Sequence, residues 1–337
     1  MDEKVLFIGS YLSHKKGTID IIEKITPLLK HEGFDIRLVS RRESRVLRLL
    51  HMFLEVLTTS RKTVVFEIFS GKSIIIPEIV SRVAVFRKMK IVYILRGGKL
   101  PEFEKKNKFL VKKTFKRADI IATPSRFLQN HFENAGFTVE YLPNAISIEK
   151  FPFVHRKEQK YRMLWVRAFV ELYNPNLAIQ TLSEVIKKFP EASLTMIGPD
   201  GGQKRNAIKL AEAFNLTNRI DFMGHVKNEK LSEYYHNHDI YLNTTKYESF
   251  GTAVMEAALS GIPIVSTKVG EIPFLWEDQD EILMVPDNSL DAMVESVLRI
   301  FENPKKADDM ALKARSVSER FAWMNIKKYW INILSEK

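Results

Sequence analysis

The feature that most constrains this chain is a rhythm that occurs twice. Short apolar, β-branched runs alternate with longer amphipathic stretches. In the first half, strands are expected at 5–9, 35–40, 63–68, 90–95 and 119–123, separated by helix-like segments such as 19–30, 45–58 and 102–117. The polar, charged stretch 151–160 reads as a linker, and the rhythm then restarts. Strands are expected at 162–166, 193–197, 219–222, 240–243 and 262–266, and helices follow near 290–302, 306–318 and 323–334. Apolar runs of about five residues between helices suit parallel strands, whose two faces are both covered by crossover helices. At 337 residues the chain exceeds what one ordinary core organises. The expected class is therefore α/β: two Rossmann-like domains facing a cleft, at 1–155 and 160–318, with 319–337 as a C-terminal helix packing back on the first.

Composition removes several function classes. The chain has no cysteine, which excludes disulfides and thiolate metal sites. Its eight histidines show no metal-ligand spacing with carboxylates and no nucleophile–His–acid arrangement, so no metal is expected. The start Met1-Asp2-Glu3-Lys4 lacks a secretory signal, and no window reaches a spanning length of apolar residues. A cytoplasmic location is the expectation, with peripheral contact on the inner face of the membrane. Ser70-Gly71-Lys72-Ser73 imitates a P-loop, but Phe66 stands where its first glycine is required, so the phosphate cradle cannot form that way.

The most informative segment runs from Tyr247 to Ser266. It leaves a strand, passes Glu248 and a turn at Gly251, enters a helix carrying Glu256, and exits at Gly261 into another strand. Amides near Phe250, Gly251 and Thr252, with the positive helix end, suit phosphate oxygens. Two carboxylates beside a phosphate would repel it, so Glu248 and Glu256 are better suited to accept hydrogen bonds from sugar hydroxyls.

This E-x7-E segment resembles the signature of the family 4 retaining glycosyltransferases, which have the GT-B fold. The resemblance is strong over 160–335 and weaker over 1–155. It implies that Glu248 contacts the transferred sugar, that Glu256 binds the nucleotide ribose, and that the amides of Phe250–Thr252 hold donor groups. It also implies a diphosphate clamp of an arginine and, six residues on, a lysine. Arg167 matches the first position, where a fixed cation would stabilise the leaving group. Tyr173 replaces the lysine, and Lys204 is a candidate substitute. Gly198 and Pro199 open a loop that borders the donor in similar enzymes, although a plain turn explains its glycines nearly as well. His225 and Val226 resemble the nucleobase-facing turn. In the first half, Gly17 lies in a loop where relatives bring backbone close to a ligand. Arg96 stands where relatives often carry histidine and would face a phosphate or an anionic substrate. Pro143 and Asn144 match landmarks read as structural.

Charge divides unevenly. Residues 1–155 carry 28 Lys+Arg against 16 Asp+Glu, whereas 156–337 carry 24 against 25. The segment 41–54 combines arginines with a broad apolar face, and lysines at 105, 106, 108, 112, 113 and 116 form a second cluster. An acceptor on an anionic membrane would explain both. For 45–58, an ordinary core helix with solvated charges is the preferred alternative. Nucleic acid is disfavoured, because no aromatic platform accompanies the charge.

These readings combine into a retaining glycosyltransferase. It would move a hexose from a nucleoside diphosphate sugar to a glycan or lipid-linked acceptor in cell-surface polysaccharide synthesis, with no cofactor beyond the donor. The catalytic candidates are Glu248, Arg167 and Arg96. The alternatives are a nucleotide-sugar epimerase on the same scaffold and a non-catalytic partner subunit.

Overall fold

The computed structural model describes residues 3–12, 20–156 and 159–335. They form two compact units, one of residues up to Ala145 plus the segment from Trp323, the other of Ile146–Ala322. Each contains one parallel six-stranded sheet.

In the first unit the strands are β1 (Glu3–Ile8), β2 (Phe34–Val39), β3 (Thr63–Ile68), β4 (Lys90–Leu95), β5 (Ile120–Thr123) and β6 (Glu140–Tyr141), in spatial order β2-β1-β3-β4-β5-β6. Helices α1 (Ile21–His31), α2 (Arg45–Thr58), α3 (Ile75–Phe86), α4 (Leu100–Lys106), α5 (Lys108–Phe115) and α6 (Arg126–Asn134) connect them. One sheet face packs on α2, α3, α5 and α6 through Met52, Val56, Val80, Phe115 and Phe132. The other packs on α1 and on the last helix of the chain, Trp323–Leu334, through Ile25, Leu29, Ile326 and Trp330. Trp330 is fully buried, and its indole N–H donates to the Pro143 carbonyl at 2.9 Å.

The second unit repeats the scheme with β7 (Arg162–Val166), β8 (Ser193–Ile197), β9 (Ile220–Gly224), β10 (Ile240–Asn243), β11 (Ile264–Thr267) and β12 (Leu283–Val285), ordered β12-β11-β10-β7-β8-β9. Its helices are α7 (Pro175–Val185), α8 (Lys204–Ala213), α9 (Asn228–Asn237), α10 (Thr252–Leu259), α11 (Ile272–Leu275), α12 (Leu290–Glu302) and α13 (Pro304–Glu319), and the helix Trp323–Leu334 of the first unit is α14. The α/β class and its two doubly wound sheets are thus as the rhythm requires. Among the described residues, no helix is long and apolar enough to cross a membrane.

Three local expectations change. The single helix at 102–117 is two, because Asn107 leaves helical geometry (φ −131°, ψ 40°) between α4 and α5. The segment 151–156 is no free linker. Phe151 is buried, and the buried Arg156 guanidinium donates to the carbonyls of Tyr235, His238 and Gly261. Burial lowers the pKa of Arg156 to about 10. The helix at 45–58 is a core helix on one side only: Met52 and Val56 pack on the sheet, while Leu47, Leu50, Leu54 and Leu57 are exposed on the other.

Candidate functional site

In an open parallel sheet, the place where strand order reverses leaves a crevice at the strands' carboxyl ends, since the loops there turn to opposite sides. In the second unit this place lies between β7 and β10. Arg167 follows β7 and Glu248 follows β10, and the two meet: a guanidinium Nη donates to a carboxylate oxygen of Glu248. Their side chains are only 13% and 8% exposed. The other Glu248 oxygen accepts from the Ser249 amide at 3.1 Å. Burial alone would lower the pKa of Arg167, but the Glu248 charge outweighs it and raises it, so the guanidinium is held charged.

Tyr173, six residues after Arg167, completes this arrangement. Its ring lies under Arg167, with the guanidinium carbon 5.2 Å from the ring centroid. A cation–π contact of this kind is worth about 0.5–2 kcal/mol. Tyr173 is placed by β10: Thr244 Oγ donates to its carbonyl at 2.8 Å and accepts from the Trp165 indole at 2.9 Å. Tyr173 therefore orients the cation and adds a ring, not a charge, at its position.

Gly251 caps α10 with φ +83°, the left-handed geometry that glycine enters without penalty. Phe250 is buried edge-on against Phe321, while Thr252 is half-buried at the helix start. This presents the N-terminal amides of α10 beside Glu248. Glu256 sits one turn further in, and the buried Tyr235 hydroxyl donates to it at 3.3 Å. Burial and the Glu256 carboxylate raise the Tyr235 pKa well above the ordinary range, so the phenol stays a donor.

Gly198 is fixed by close approach: a Cβ there would lie 1.7 Å from the Arg167 carbonyl oxygen. The loop beyond it is an Asp-centred turn, in which Asp200 accepts from the amides of Gly202 (2.8 Å) and Lys204 (3.2 Å). Pro199 is exposed. The Lys204 ammonium lies 6.0 Å from the Phe169 ring centroid and 3.7 Å from the Cβ position of Gly224, next to the exposed His225 and half-buried Val226. The Gly198–Lys204 loop and the Gly224–Val226 turn thus share one edge of the sheet, since β8 and β9 are neighbours.

The first unit holds a second polar cluster, in which the sequence named Arg96 and Asn144 but not Glu67. Arg96, 8% exposed after β4, has its Nε 2.9 Å from Glu67 and donates to Asn144 at 3.2 Å. Arg96, expected to face a phosphate or an anionic substrate, thus has Glu67 and Asn144 of its own unit as neighbours. Burial raises the Glu67 pKa to about 7 despite the opposing charge of Arg96. Tyr11 stands beside it, and a Cβ on Gly9 would collide with both. This cluster lies at the β1–β3 reversal of the first sheet. A glutamate inside the otherwise apolar Thr63–Ile68 run was the available signal. Gly17 lies outside the described residues. The decoy segment is a 3-10 turn at Gly71–Ile74, where the Ser73 hydroxyl lies within hydrogen-bonding distance of the Phe69 and Ser70 carbonyls. Among the described residues, no group of three metal-ligating side chains forms.

With this geometry in place, comparison with known proteins identifies the family. The family described as Glycosyl transferases group 1 matches residues 147–317, half of the chain. The chain belongs to the group 1 glycosyl transferases. Among curated proteins, it is 27% identical over 202 residues to the phosphatidylinositol N-acetylglucosaminyltransferase GPI3 subunit of Saccharomyces cerevisiae, covering 58% of this chain and 45% of that protein. It is 23% identical over 223 residues to the D-inositol 3-phosphate glycosyltransferase of Corynebacterium diphtheriae, covering 60% and 52%. The chain thus spans about half the length of these relatives. Among solved structures, sucrose-phosphate synthase from Thermosynechococcus elongatus aligns at TM-score 0.82 and 14% identity, covering 98% of both chains. Anabaena HepE in complex with UDP aligns at TM-score 0.76 and 17% identity, covering 99% of both. These likenesses establish the GT-B fold.

Proposed function

We propose that this group 1 member is a retaining, family 4-type hexosyltransferase. It takes a sugar from a nucleoside diphosphate donor bound to the second unit. The observation that carries this reading is the buried Arg167–Glu248 pair at the β7–β10 reversal, beside the N-terminus of α10.

The chemistry follows from charge. As the glycosidic bond to the diphosphate breaks, negative charge grows on the leaving oxygen and positive charge on the sugar. Arg167 stabilises the first through its remaining N–H groups, helped by the amides at Gly251–Thr252. Glu248 accepts hydrogen bonds from the sugar and faces the developing positive charge. Glu256, held by Tyr235, accepts from the ribose hydroxyls. Gly198, Pro199, His225 and Val226 border the nucleotide, and Lys204 supplies a cation in place of the one missing at Tyr173. The protein's contribution is positioning and electrostatics, and no metal or cofactor enters.

In this reading the first unit binds the acceptor, with Arg96 and Glu67 as its polar floor, and the helix α14 belongs to it. The acceptor is glycan or lipid-linked and is used in cell-surface polysaccharide synthesis at the inner face of an anionic membrane. The relatives named for phosphatidylinositol and inositol phosphate favour an anionic acceptor. The structural neighbour HepE, in complex with UDP, makes uridine diphosphate sugars the first donors to test.

The test is turnover followed by proton NMR of the anomeric signal. Transfer with the donor's configuration kept supports the reading. An inverted product refutes retention, and a new nucleotide-sugar isomer formed without acceptor would make the enzyme an epimerase.

A further inference from the structure

Among the described residues, nine of the seventeen exposed large hydrophobic side chains lie on just two helices, α2 and α3. On α2 these are Val46, Leu47, Leu50, Leu54 and Leu57, between 40% and 68% exposed. The spacing 47-50-54-57 places four leucines on one stripe, one to two turns apart. On α3 they are Ile75, Ile79, Val85 and Phe86, the last 82% exposed. Arg87 joins the two ends, donating to the carbonyls of Leu57 and Thr59. On the same side of the sheet, α5 adds Phe109, also 82% exposed, between the exposed Lys108 and Lys112.

Scattered exposed leucines need no explanation, but a contiguous apolar face on paired helices marks a surface that meets something other than water. Charge indicates what. Residues 41–88 contain ten Lys+Arg and four Asp+Glu. Three of those acids are already engaged by cations of the same unit: Glu55 by Arg37, Glu67 by Arg96 and Glu78 by Arg117. Arg41, Arg42 and Arg45 remain exposed where α2 begins, and Lys88 where α3 ends. An apolar stripe bordered by cations is the arrangement of a surface that inserts its side chains among acyl chains and pairs its rim with anionic headgroups.

We propose that the α2–α3 face, extended by Phe109, is a docking surface for an anionic lipid bilayer. The leucine stripe and Phe86 enter the interface, and the arginines at the start of α2 contact the headgroups. This rests on the membrane contact in the reading above and adds the surface that makes it. Binding then needs both attractions. The electrostatic one is screened by salt, since the Debye length contracts from about 10 Å at 0.1 M.

The experiment is co-sedimentation of the full chain with vesicles of phosphatidylcholine alone or mixed with phosphatidylglycerol, alongside light scattering for oligomeric state and titration with nucleoside diphosphate sugars. The wild type is expected to sediment with the anionic vesicles only, and less so at high salt. Leu50→Asn/Leu54→Asn and, separately, Phe86→Ser should each weaken binding by roughly tenfold or more, with melting temperature and donor binding unchanged because these side chains are exposed. Arg41→Gln/Arg42→Gln should reduce binding and flatten its salt dependence. Sedimentation of the leucine variant equal to wild type would overturn the assignment of this surface. So would a vesicle-free dimer that the leucine substitutions dissociate, which would give the face to a second copy of the chain. Absence of vesicle binding with donor binding intact would overturn membrane docking and leave the transferase reading standing.

Discussion

Arg167 and Glu248 offset each other's cost of burial. Breaking such a pair from one side leaves an unpaired buried charge, a penalty of about 3–5 kcal/mol. Arg167→Ala should therefore lower the melting temperature of the second unit as well as abolish transfer. Arg167→Met/Glu248→Gln removes both charges and should recover most of the stability without recovering turnover. Calorimetric melting beside an activity assay separates the two effects, and equal stability of Arg167→Ala and wild type would contradict the pairing. Glu67 gives a second prediction. Its folded pKa, about 7, lies above the ordinary carboxyl value of 4.5. The folded state thus holds a proton that the unfolded state releases, and stability falls as pH rises from about 4.5 towards 7. In Glu67→Gln this decline should flatten, measurable as melting temperature against pH; an unchanged slope would show that Glu67 does not titrate in that range.

Among elements, the strands were legible wherever a run is buried on both faces. Thr63–Ile68, Lys90–Leu95, Arg162–Val166, Ser193–Ile197 and Ile240–Asn243 have the expected bounds, because period and length agree. Glu140–Tyr141 and Leu283–Val285 escaped notice, being too short to show a period. The break at Asn107 was hidden because neither proline nor glycine marks it. At the site, the positions of Glu248, Glu256 and Arg167 could be read from motif spacing. Two partners could not: Tyr235 meets Glu256, and in the first unit Glu67 meets Arg96, only because the fold brings separate elements together, and no local pattern encodes those contacts. Gly198 carries the prediction at this scale. In Gly198→Ala the new methyl would lie 1.7 Å from the Arg167 carbonyl, so the β8 loop must shift. Weakened donor binding and a lower melting temperature are expected, and wild-type values for both would show that the loop is not needed to place Arg167.

At the scale of the molecule, the chain leaves the first unit at Ala145, builds the second, and returns at Trp323. The first unit is thus completed only by its last helix, whose Trp330 fills the core beneath β1 and β4. Trp330→Ala should cost about 3–5 kcal/mol in that unit alone, seen as a separate, earlier melting transition with donor binding at the second unit retained. The central claim is that the second unit holds a nucleoside diphosphate sugar at Arg167, Glu248 and Glu256. It is tested most directly by calorimetric titration of wild type and Glu256→Ala with a panel of such donors, beginning with UDP-glucose. The expected result is one donor binding once per chain, about tenfold or more weaker in the variant through loss of the charge-assisted bonds to ribose. Failure of every donor to bind, or identical affinity in the variant, would contradict it.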